Sequence, residues 1–267
     1  MKLVASRISS AIGMIRKTSP LIHNITNYVA MNNSANALLA IGASPVMAHA
    51  EDEVEDMVVI AGALVINIGT LSAPWIQAMQ RAARYALERN VPVILDPVGA
   101  GATPYRTRTA RELLRECPPA IIRGNASEII ALLDEGSKTK GVDSTAASGD
   151  ALDVARQLSG ICGAVVCVSG ETDYICHGDD TTRIMNGHAM MTRVTGMGCI
   201  ASALCGAFAA VNGNLVEAAG QAMAVMGIAG EIAAQDAPGP GSLQVRFIDA
   251  LYRLSESDIA DRLRTEG

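Results

Sequence analysis

Short apolar runs alternate with longer amphipathic patterns through the middle of the chain. Each apolar run has the length of a buried strand, and each amphipathic stretch has the spacing of a helix with one apolar face. This alternation predicts an α/β fold of three layers, with a mainly parallel central sheet and helices on both faces. The predicted strands are Leu64–Asn67, Val91–Leu95, Ala120–Arg123 and Ala164–Val168, and the predicted helices are Ala73–Asn90, Thr107–Glu116, Asn125–Leu133 and Ala151–Gly160.

The two ends of the chain depart from this alternation. Near the N-terminus an extended segment from Pro20 to about Asn27 precedes a helix through Leu39 and a short strand, Ala43–Met47. Two short strands with a turn between them, Asp173–His177 and Thr182–Met185, lead into a helical C-terminal third: Gly198–Val211, Leu215–Gln235 and Leu243–Leu254. The longest polar stretch, Asp134–Ser148, is too short to separate two domains, so residues 1–267 are predicted to form one domain.

Composition narrows the class of protein. Hydrophobic residues make up 49% of the 267 positions but aromatic residues only 3%, so the core is built from aliphatic residues and methionine. The net charge of −6, without any run of Lys or Arg, disfavours nucleic acid binding. The apolar stretch Ile200–Val211 is too short to span a bilayer. The six cysteines have no C-x-x-C spacing, so they are predicted to be reduced thiols in a soluble cytoplasmic protein.

A glycine loop that opens into a helix is the most informative feature. Gly196 and Gly198 can adopt backbone angles closed to other residues, and the helix that follows presents free N–H groups and a positive dipole end. Such a loop binds an anion, most often a phosphate. Cys199 falls in the first helical turn, where a thiol pKa is commonly lowered, and is a candidate base or nucleophile. The alternative is a packed glycine turn with Cys199 as a small core residue.

Polar side chains follow the predicted strands, where ligands of open α/β sheets bind. Asp96 and Glu128 could together hold a magnesium ion through water, and Arg123 could clamp a phosphate. The alternatives are a turn or cap for Asp96, a capping box of Asn125 with Glu128, and a surface ion pair for Arg123. Ser169 ends another strand.

The N-terminal extended segment carries asparagines in a largely apolar setting. Asn24 and Asn27 would suit hydrogen bonding to a small uncharged ligand, or else turn formation. Met47, at the end of a short strand, could form a soft pocket wall or could be a core residue.

Taken together, these segments resemble bacterial hydroxyethylthiazole kinases, which belong to the ribokinase-like superfamily. The resemblance extends from about Pro20 to about Glu231. Several segments in the same order are far more specific than any one alone. The segments are His23–Asn27 with Val29, Gly42–Met47, Asn67–Thr70, Asp96–Ala100, Arg123–Glu128, Ser169–Asp173 and Gly196–Cys199.

The resemblance implies transfer of the γ-phosphoryl group of ATP to the primary hydroxyl of 4-methyl-5-(2-hydroxyethyl)thiazole, for thiamine phosphate synthesis. It assigns a role to each group of residues. The thiazole would contact Met47 and Gly196, with Asn24 and Asn27 nearby; ATP would contact Arg123, Ser169 and Asn125; Asp96 and Glu128 would organise Mg²⁺; and Gly196, Gly198 and Cys199 would form the catalytic loop.

Two features depart from the wider superfamily. Most ribokinase-like enzymes have an aspartate base where Cys199 stands, so the sequence does not identify the catalytic base. Cys199 could orient the hydroxyl or weakly accept its proton. Met197 also stands where the family more often has a small or hydroxyl residue. The chain lacks the strand-rich N-terminal lid of sugar kinases, and the resemblance implies a homotrimer in which a neighbouring subunit completes the thiazole pocket.

Three rival functions remain open from the sequence. Two are enzymes of the same fold, a hydroxymethylpyrimidine kinase and an ATP-dependent nicotinamide-hydrate dehydratase. The third is a catalytically silent sensor of nucleotides or thiamine precursors. Asn24–Asn27 and Cys199 favour the thiazole kinase over the first two, and the set of Asp96, Glu128 and Arg123 argues against the sensor.

Overall fold

The computed structural model of the chain describes residues 2–133 and 148–267. The polar stretch predicted at Asp134–Ser148 lies outside the described residues except for its last position.

The described strands form a single sheet of nine strands in the order β2-β1-β3-β4-β5-β6-β7-β8-β9. The first six strands in this order are joined by five parallel pairings, and the last three strands are added antiparallel. The sheet is therefore mainly parallel, as predicted. The strands are β1 (Leu21–Ile25), β2 (Ser44–Val46), β3 (Ala63–Asn67), β4 (Val93–Asp96), β5 (Ile121–Asn125), β6 (Val165–Ser169), β7 (Asp173–His177), β8 (Asp180–Ile184) and β9 (Thr265–Glu266).

Eleven described helices cover the two faces of this sheet, which gives the predicted three layers. One face packs against α1 (Ala5–Thr18), α2 (Met31–Ile41), α8 (Met197–Ala209), α9 (Leu215–Gln235), α10 (Pro240–Arg253) and α11 (Glu256–Arg262). The other face packs against α3 (Val54–Ile60), α4 (Ala73–Glu88), α5 (Pro104–Glu116), α6 (Ala126–Leu132) and α7 (Ser148–Cys162). Alternate strand residues enter the two cores: Val65 packs in the first, Leu64 and Ile66 in the second.

Residue type explains several helix boundaries. Thr103 caps α5 by accepting a hydrogen bond from the Arg106 N–H, and Asn214 caps α9 by accepting from Val216 and Glu217. The pattern predicted α9 residue for residue. It missed α3, α11 and β9, which are short or amphipathic over too few residues to show a period.

Helix α8 lies against the sheet because its small residues permit a close approach. A Cβ added at Gly206 would meet Val65 Cγ2 at 2.8 Å. Among the described helices, α9 alone is long and apolar enough to cross a membrane by length and composition. Of its apolar window, 78% is buried inside the protein, so it packs as a core helix.

Candidate active site

The carboxyl ends of the parallel strands meet the N-terminus of α8, and the predicted site residues gather there. Asn67 and Asp96 are register partners at the ends of β3 and β4. Asn125 and Ser169 are register partners at the ends of β5 and β6. The parallel register therefore brings together side chains that are far apart in the sequence.

The glycine loop has the geometry of an anion cradle. Gly196 is the N-cap residue of α8, with φ of +83°, and makes no side-chain cap. The helical hydrogen bonds begin with the Ile200 N–H, which donates to the Gly196 carbonyl at 2.9 Å. The N–H groups of the first turn therefore remain for a ligand, at the positive end of the helix dipole.

Gly198 serves a different purpose from the one expected. It does not adopt a positive φ, so the expectation of a special backbone angle holds for Gly196 alone. Instead, a Cβ at Gly198 would lie 2.6 Å from Nη1 of Arg123. Glycine lets the guanidinium group pack directly on the first turn of α8, and a larger residue here would displace it.

Arg123 is held in this position by Ser169. Its Nη2 donates to Ser169 Oγ at 2.6 Å, and Ser169 Oγ in turn donates to the Gly124 carbonyl at 3.2 Å. The Arg123 Nε is buried and has no hydrogen-bond partner among the described residues. A cation with an unused donor therefore stands beside the anion cradle.

Two amides hold the sulfur of Cys199. The Nδ2 atoms of Asn27 and Asn67 each donate to Sγ at 3.2 Å, and Asn27 Nδ2 also donates to Asn67 Oδ1 at 2.8 Å. Burial and, next, the nearby Asp96 carboxylate raise the pKa of the Cys199 thiol, although the two amides oppose this. The expectation of a lowered pKa is therefore wrong: desolvation outweighs the helix terminus, and Cys199 is a thiol at neutral pH.

Asp96 is fully buried in the same network. Its Oδ2 accepts hydrogen bonds from Asn67 Nδ2 at 2.7 Å and from Ser202 Oγ at 2.8 Å. Its Oδ1 is buried and has no partner among the described residues. Burial raises the pKa of Asp96 to about 6, although the positive charge of Arg123 acts to lower it. A buried oxygen without a partner is typical of a carboxylate that acts on a ligand.

Glu128 forms the capping box that the sequence left as an alternative. Its Oε2 accepts from the Asn125 N–H at 2.9 Å, and the Glu128 N–H donates to Asn125 Oδ1 at 3.0 Å. Its Oε1 accepts from the Gly99 N–H at 2.9 Å, which ties the loop after β4 to α6. Asn125, which the resemblance assigns to ATP, thus uses its side-chain oxygen in the cap.

The described residues contain no cluster of three or more His, Cys, Asp or Glu side chains that could hold a metal ion. A magnesium site needs fewer protein ligands, because Mg²⁺ is usually bound by one or two carboxylates with water and substrate phosphates. The unpartnered Oδ1 of Asp96 and the spare lone pairs of Glu128 fit that donor set.

The expected thiazole residues separate into two groups. Asn27 contacts Cys199 directly, and Gly196 lies near Ala30, whose Cβ would be 3.5 Å from a Cβ at Gly196. Asn24 instead donates from Nδ2 to the Ile22 carbonyl of its own strand at 2.8 Å. Met47 follows β2, at the edge of the sheet.

Three residues of the site were missed or given no role from the sequence. The sequence identified Asn67 only as the end of a predicted strand. In the structure its amide donates to both Asp96 and Cys199 and so joins them. Ser202 lies one turn after Cys199 on the same helix face, a spacing that could have indicated it. Arg106 donates to the carbonyls of Ile68, Gly69 and Val98, and so joins the loops after β3 and β4; no sequence pattern indicated this.

A cavity of about 930 Å³ opens beside these groups. The lining includes Arg123, Ser169 and Gly198, together with the acidic residues Glu171 and Asp173. The remaining wall is largely apolar, with methionines from α9 and from the segment that follows β8. The Arg123 guanidinium beside the free N–H groups of α8, together with the apolar wall, suits a ligand that carries phosphates on an aromatic group.

Comparison with known proteins agrees with this geometry. The model of the family described as hydroxyethylthiazole kinase matches residues 12–257. A relative from Syntrophus aciditrophicus, named hydroxyethylthiazole kinase, is 62% identical over 265 residues, covering 99% of this chain and 98% of the relative. The solved structure of a hydroxyethylthiazole kinase protein from Pyrococcus horikoshii has a TM-score of 0.90 and 43% identity, with 98% of each chain covered.

A more distant structure shows the fold alone. A ribokinase-like superfamily protein from Enterococcus faecalis aligns with a TM-score of 0.64 at 13% identity, over 96% of this chain and 90% of the other. The expectation of a ribokinase-like fold is thereby confirmed.

Proposed function

The chain belongs to the hydroxyethylthiazole kinase family, and we propose that the cleft at the N-terminus of α8 is where it works. The reaction is transfer of the γ-phosphoryl group of ATP to the primary hydroxyl of 4-methyl-5-(2-hydroxyethyl)thiazole, which feeds thiamine phosphate synthesis. The observation that carries this placement is the packing of the Arg123 guanidinium on Gly198, one residue before Cys199.

The chain's own groups divide the work in the following way. Arg123 and the first-turn N–H groups of α8 stabilise negative charge on the transferring phosphoryl group, which is the main demand of phosphoryl transfer. Gly196 leaves space for the thiazole next to α2, and Asn27 and Met47 line its approach. The base and ribose of ATP lie along the methionine wall of the cavity, beyond Ser169.

Cys199 orients the substrate hydroxyl rather than removing its proton as a thiolate. The raised pKa of the thiol supports this role, as do the two amides that donate to its sulfur and leave the S–H free to face the substrate. No phosphocysteine forms in this scheme. Because phosphoryl transfer depends mainly on positioning and charge, a strong base is not required.

Asp96 and Glu128 would hold magnesium, with Asp96 Oδ1 as the available oxygen and Glu128 acting through water. When bound, magnesium neutralises charge on the phosphates of ATP. Asn67 and Ser202 keep the Asp96 carboxylate turned into the cleft by occupying its other oxygen.

A homotrimer would complete the thiazole end of the cleft. Tyr28 and Val29, which follow Asn27, are 66% and 61% exposed, an unusual state for two adjacent apolar side chains beside a candidate site. A neighbouring subunit would cover them. Light scattering should then give three times the mass of one chain, and a mass of one chain at working concentration would exclude the trimer. We place the protein in the cytoplasm, where ATP is supplied.

The decisive experiment measures ADP release from ATP and Mg²⁺ with and without the thiazole alcohol. Hydroxymethylpyrimidine and ribose serve as control acceptors, and nicotinamide hydrate tests the dehydratase alternative. Release stimulated only by the thiazole alcohol supports the proposal. ATP binding without stimulation by any acceptor would instead favour the sensor.

A further inference from the structure

Apart from the methionines of α9, the methionine wall of the cavity consists of one irregular segment, the Met185–Thr192 wall, which needs to be held in place. It runs from Met185, just after β8, through a 3-10 helix at Ala189–Arg193. Met185, Asn186, Gly187, His188, Ala189, Met191 and Thr192 all line the cavity. An irregular segment of this kind keeps its shape only through contacts with its neighbours.

Two glycines of α9 bring this segment into direct contact with the helix. A Cβ at Gly227 would meet the Cβ of Asn186 at 2.6 Å. A Cβ at Gly230 would overlap the side chain of Met191. The wall therefore lies flat on α9, and the next residue of the helix, Glu231, is at its border.

Glu231 is the centre of a polar cluster that fastens the wall to the C-terminal segment. Its Oε1 accepts from Asn186 Nδ2 at 3.0 Å, from the Gly187 N–H at 2.8 Å and from Arg264 Nη2 at 2.6 Å. The side chain of Glu231 is only 16% exposed, so these bonds form with little competition from water.

Arg264 contacts the wall in three further places. Its Nη2 donates to the Met185 carbonyl at 2.7 Å, and its backbone N–H donates to Asn186 Oδ1 at 2.9 Å. Its carbonyl accepts from the Met185 N–H at 3.0 Å. The side chain also lines the cavity itself. Residue 264 lies beyond residue 257, where the match to the family model ends.

We propose that Arg264, paired with Glu231, is a positioning residue for nucleotide binding: it fixes the Met185–Thr192 wall against which the base and ribose of ATP lie. The inference rests on the proposed function in that it takes the cavity to be the nucleotide site. A wall that is already ordered binds its ligand without a further loss of conformational freedom, which raises affinity.

The test compares two polyphosphate anions, one with a base and ribose that would contact the wall and one without. The probes are a non-hydrolysable ATP analogue with a methylene group between the β and γ phosphorus atoms, and inorganic tripolyphosphate, which has no base or ribose. Both are titrated by calorimetry into the full-length protein and its Arg264→Ala variant. We expect the analogue to bind about three- to tenfold more weakly to the variant. Tripolyphosphate, held at the Arg123 end, should bind equally to both proteins.

Two further variants separate positioning from a general loss of structure. Glu231→Gln should give a smaller loss of the same selectivity, because the amide oxygen can still accept these hydrogen bonds but carries no charge to pair with Arg264. Arg183→Ala removes a different exposed ion pair, the contact between Arg183 on β8 and Glu266 on β9 at 3.6 Å, and should leave both affinities unchanged. Equal weakening of both probes in Arg264→Ala, unchanged affinity for the analogue, or the same loss in Arg183→Ala would each overturn the proposal.

These titrations do not depend on the thiazole reaction. If the wild-type protein binds the analogue but no acceptor stimulates ADP release, the proposed function fails while the role of Arg264 is still tested. If the selective loss is absent in an active kinase, the role of Arg264 fails and the function stands.

Discussion

The two ends of the cleft are held together in different ways. At the alcohol end, side chains from separate strands and from α8 bind one another: Asn27, Asn67, Asp96, Cys199 and Ser202 form one buried network. At the nucleotide end, an irregular segment lies on glycines of α9 and is fastened by an ion pair whose arginine is 50% exposed.

This difference predicts how each end responds to change. In the buried network, removing one group leaves its partner without a hydrogen bond and without water to replace it, so a single substitution is costly. At the nucleotide end, water can replace a lost partner and methionine side chains can repack. Substitutions at the alcohol end should therefore have the larger effects.

The strongest test of the comparison is Asn67→Asp. The substitution replaces the Nδ2 donor by a carboxylate oxygen next to Asp96 Oδ2, which now lies 2.7 Å from that nitrogen. Two buried carboxylates at this distance cannot both ionise, so the pair holds a proton that Asp96 alone would release, and its single O–H cannot donate to both Asp96 and Cys199 as the amide does. We expect turnover to fall by about 10²- to 10³-fold, measured as thiazole-dependent ADP release.

Asn36→Asp is the matched control, because it makes the same chemical change at an exposed position of α2. It should leave turnover unchanged. Equal losses in the two variants, or full turnover in Asn67→Asp, would show that the network does not position the reacting groups.

Cys199→Ala should have the next largest effect. Loss of a group that orients the hydroxyl lowers kcat by about 10- to 100-fold and leaves KM for the thiazole nearly unchanged. Cys162→Ala, at a half-buried cysteine at the end of α7, is the control and should retain full turnover. Detection of phosphorylated Cys199 by mass spectrometry during turnover would contradict the orienting role, as would a large rise in KM without loss of kcat.

The alternation of apolar and amphipathic segments was enough to predict the layers and most strands, because strands buried on both faces have few polar residues. The register of β3 with β4 was not predictable, and this register places Asn67 beside Asp96. A hydrogen bond between residues 29 positions apart leaves no periodic signal in the sequence.

Local motifs were more predictable than the surroundings of individual side chains. The capping box of Asn125 and Glu128 follows from spacing alone, and the structure contains it. The pKa of Cys199 does not follow from spacing, because it depends on burial and on a carboxylate from another strand. The close packing at Gly198 also depends on Arg123, a residue from a different element.

Arg123→Ala tests the boundary between the two ends. The guanidinium packs on α8 and binds Ser169, so its loss should chiefly weaken the use of ATP. We expect kcat/KM for ATP to fall by about tenfold or more, because the guanidinium both binds the phosphates and stabilises charge during transfer, with a smaller change in KM for the thiazole. Arg108→Ala, at a residue whose side chain is 62% exposed on α5, is the control. A selective rise in KM for the thiazole would mean that Arg123 belongs to the alcohol end.

The smallest effect is expected from Asp173→Asn, at the nucleotide end, and it concerns stability. Burial raises the pKa of Asp173 from 3.8 to about 6, although the Gly170 N–H and Arg123 oppose this. Between pH values of about 4 and about 6, the folded protein binds more protons at this group than the unfolded chain does. The contribution of Asp173 to the free energy of unfolding therefore falls as the pH rises through this range. Asparagine keeps an oxygen for the Gly170 N–H at 3.0 Å but has no charge to desolvate.

The Asp173→Asn variant should therefore gain stability relative to wild type at pH 7.5, on the order of 1–2 kcal/mol, and gain less at pH 4.5. Urea denaturation at the two pH values measures this difference. Asp153→Asn, where the side chain is 83% exposed, should show no such dependence on pH. An equal change at both pH values would mean that the carboxylate of Asp173 is solvated, and hence that the nucleotide end is more open to water than its burial indicates.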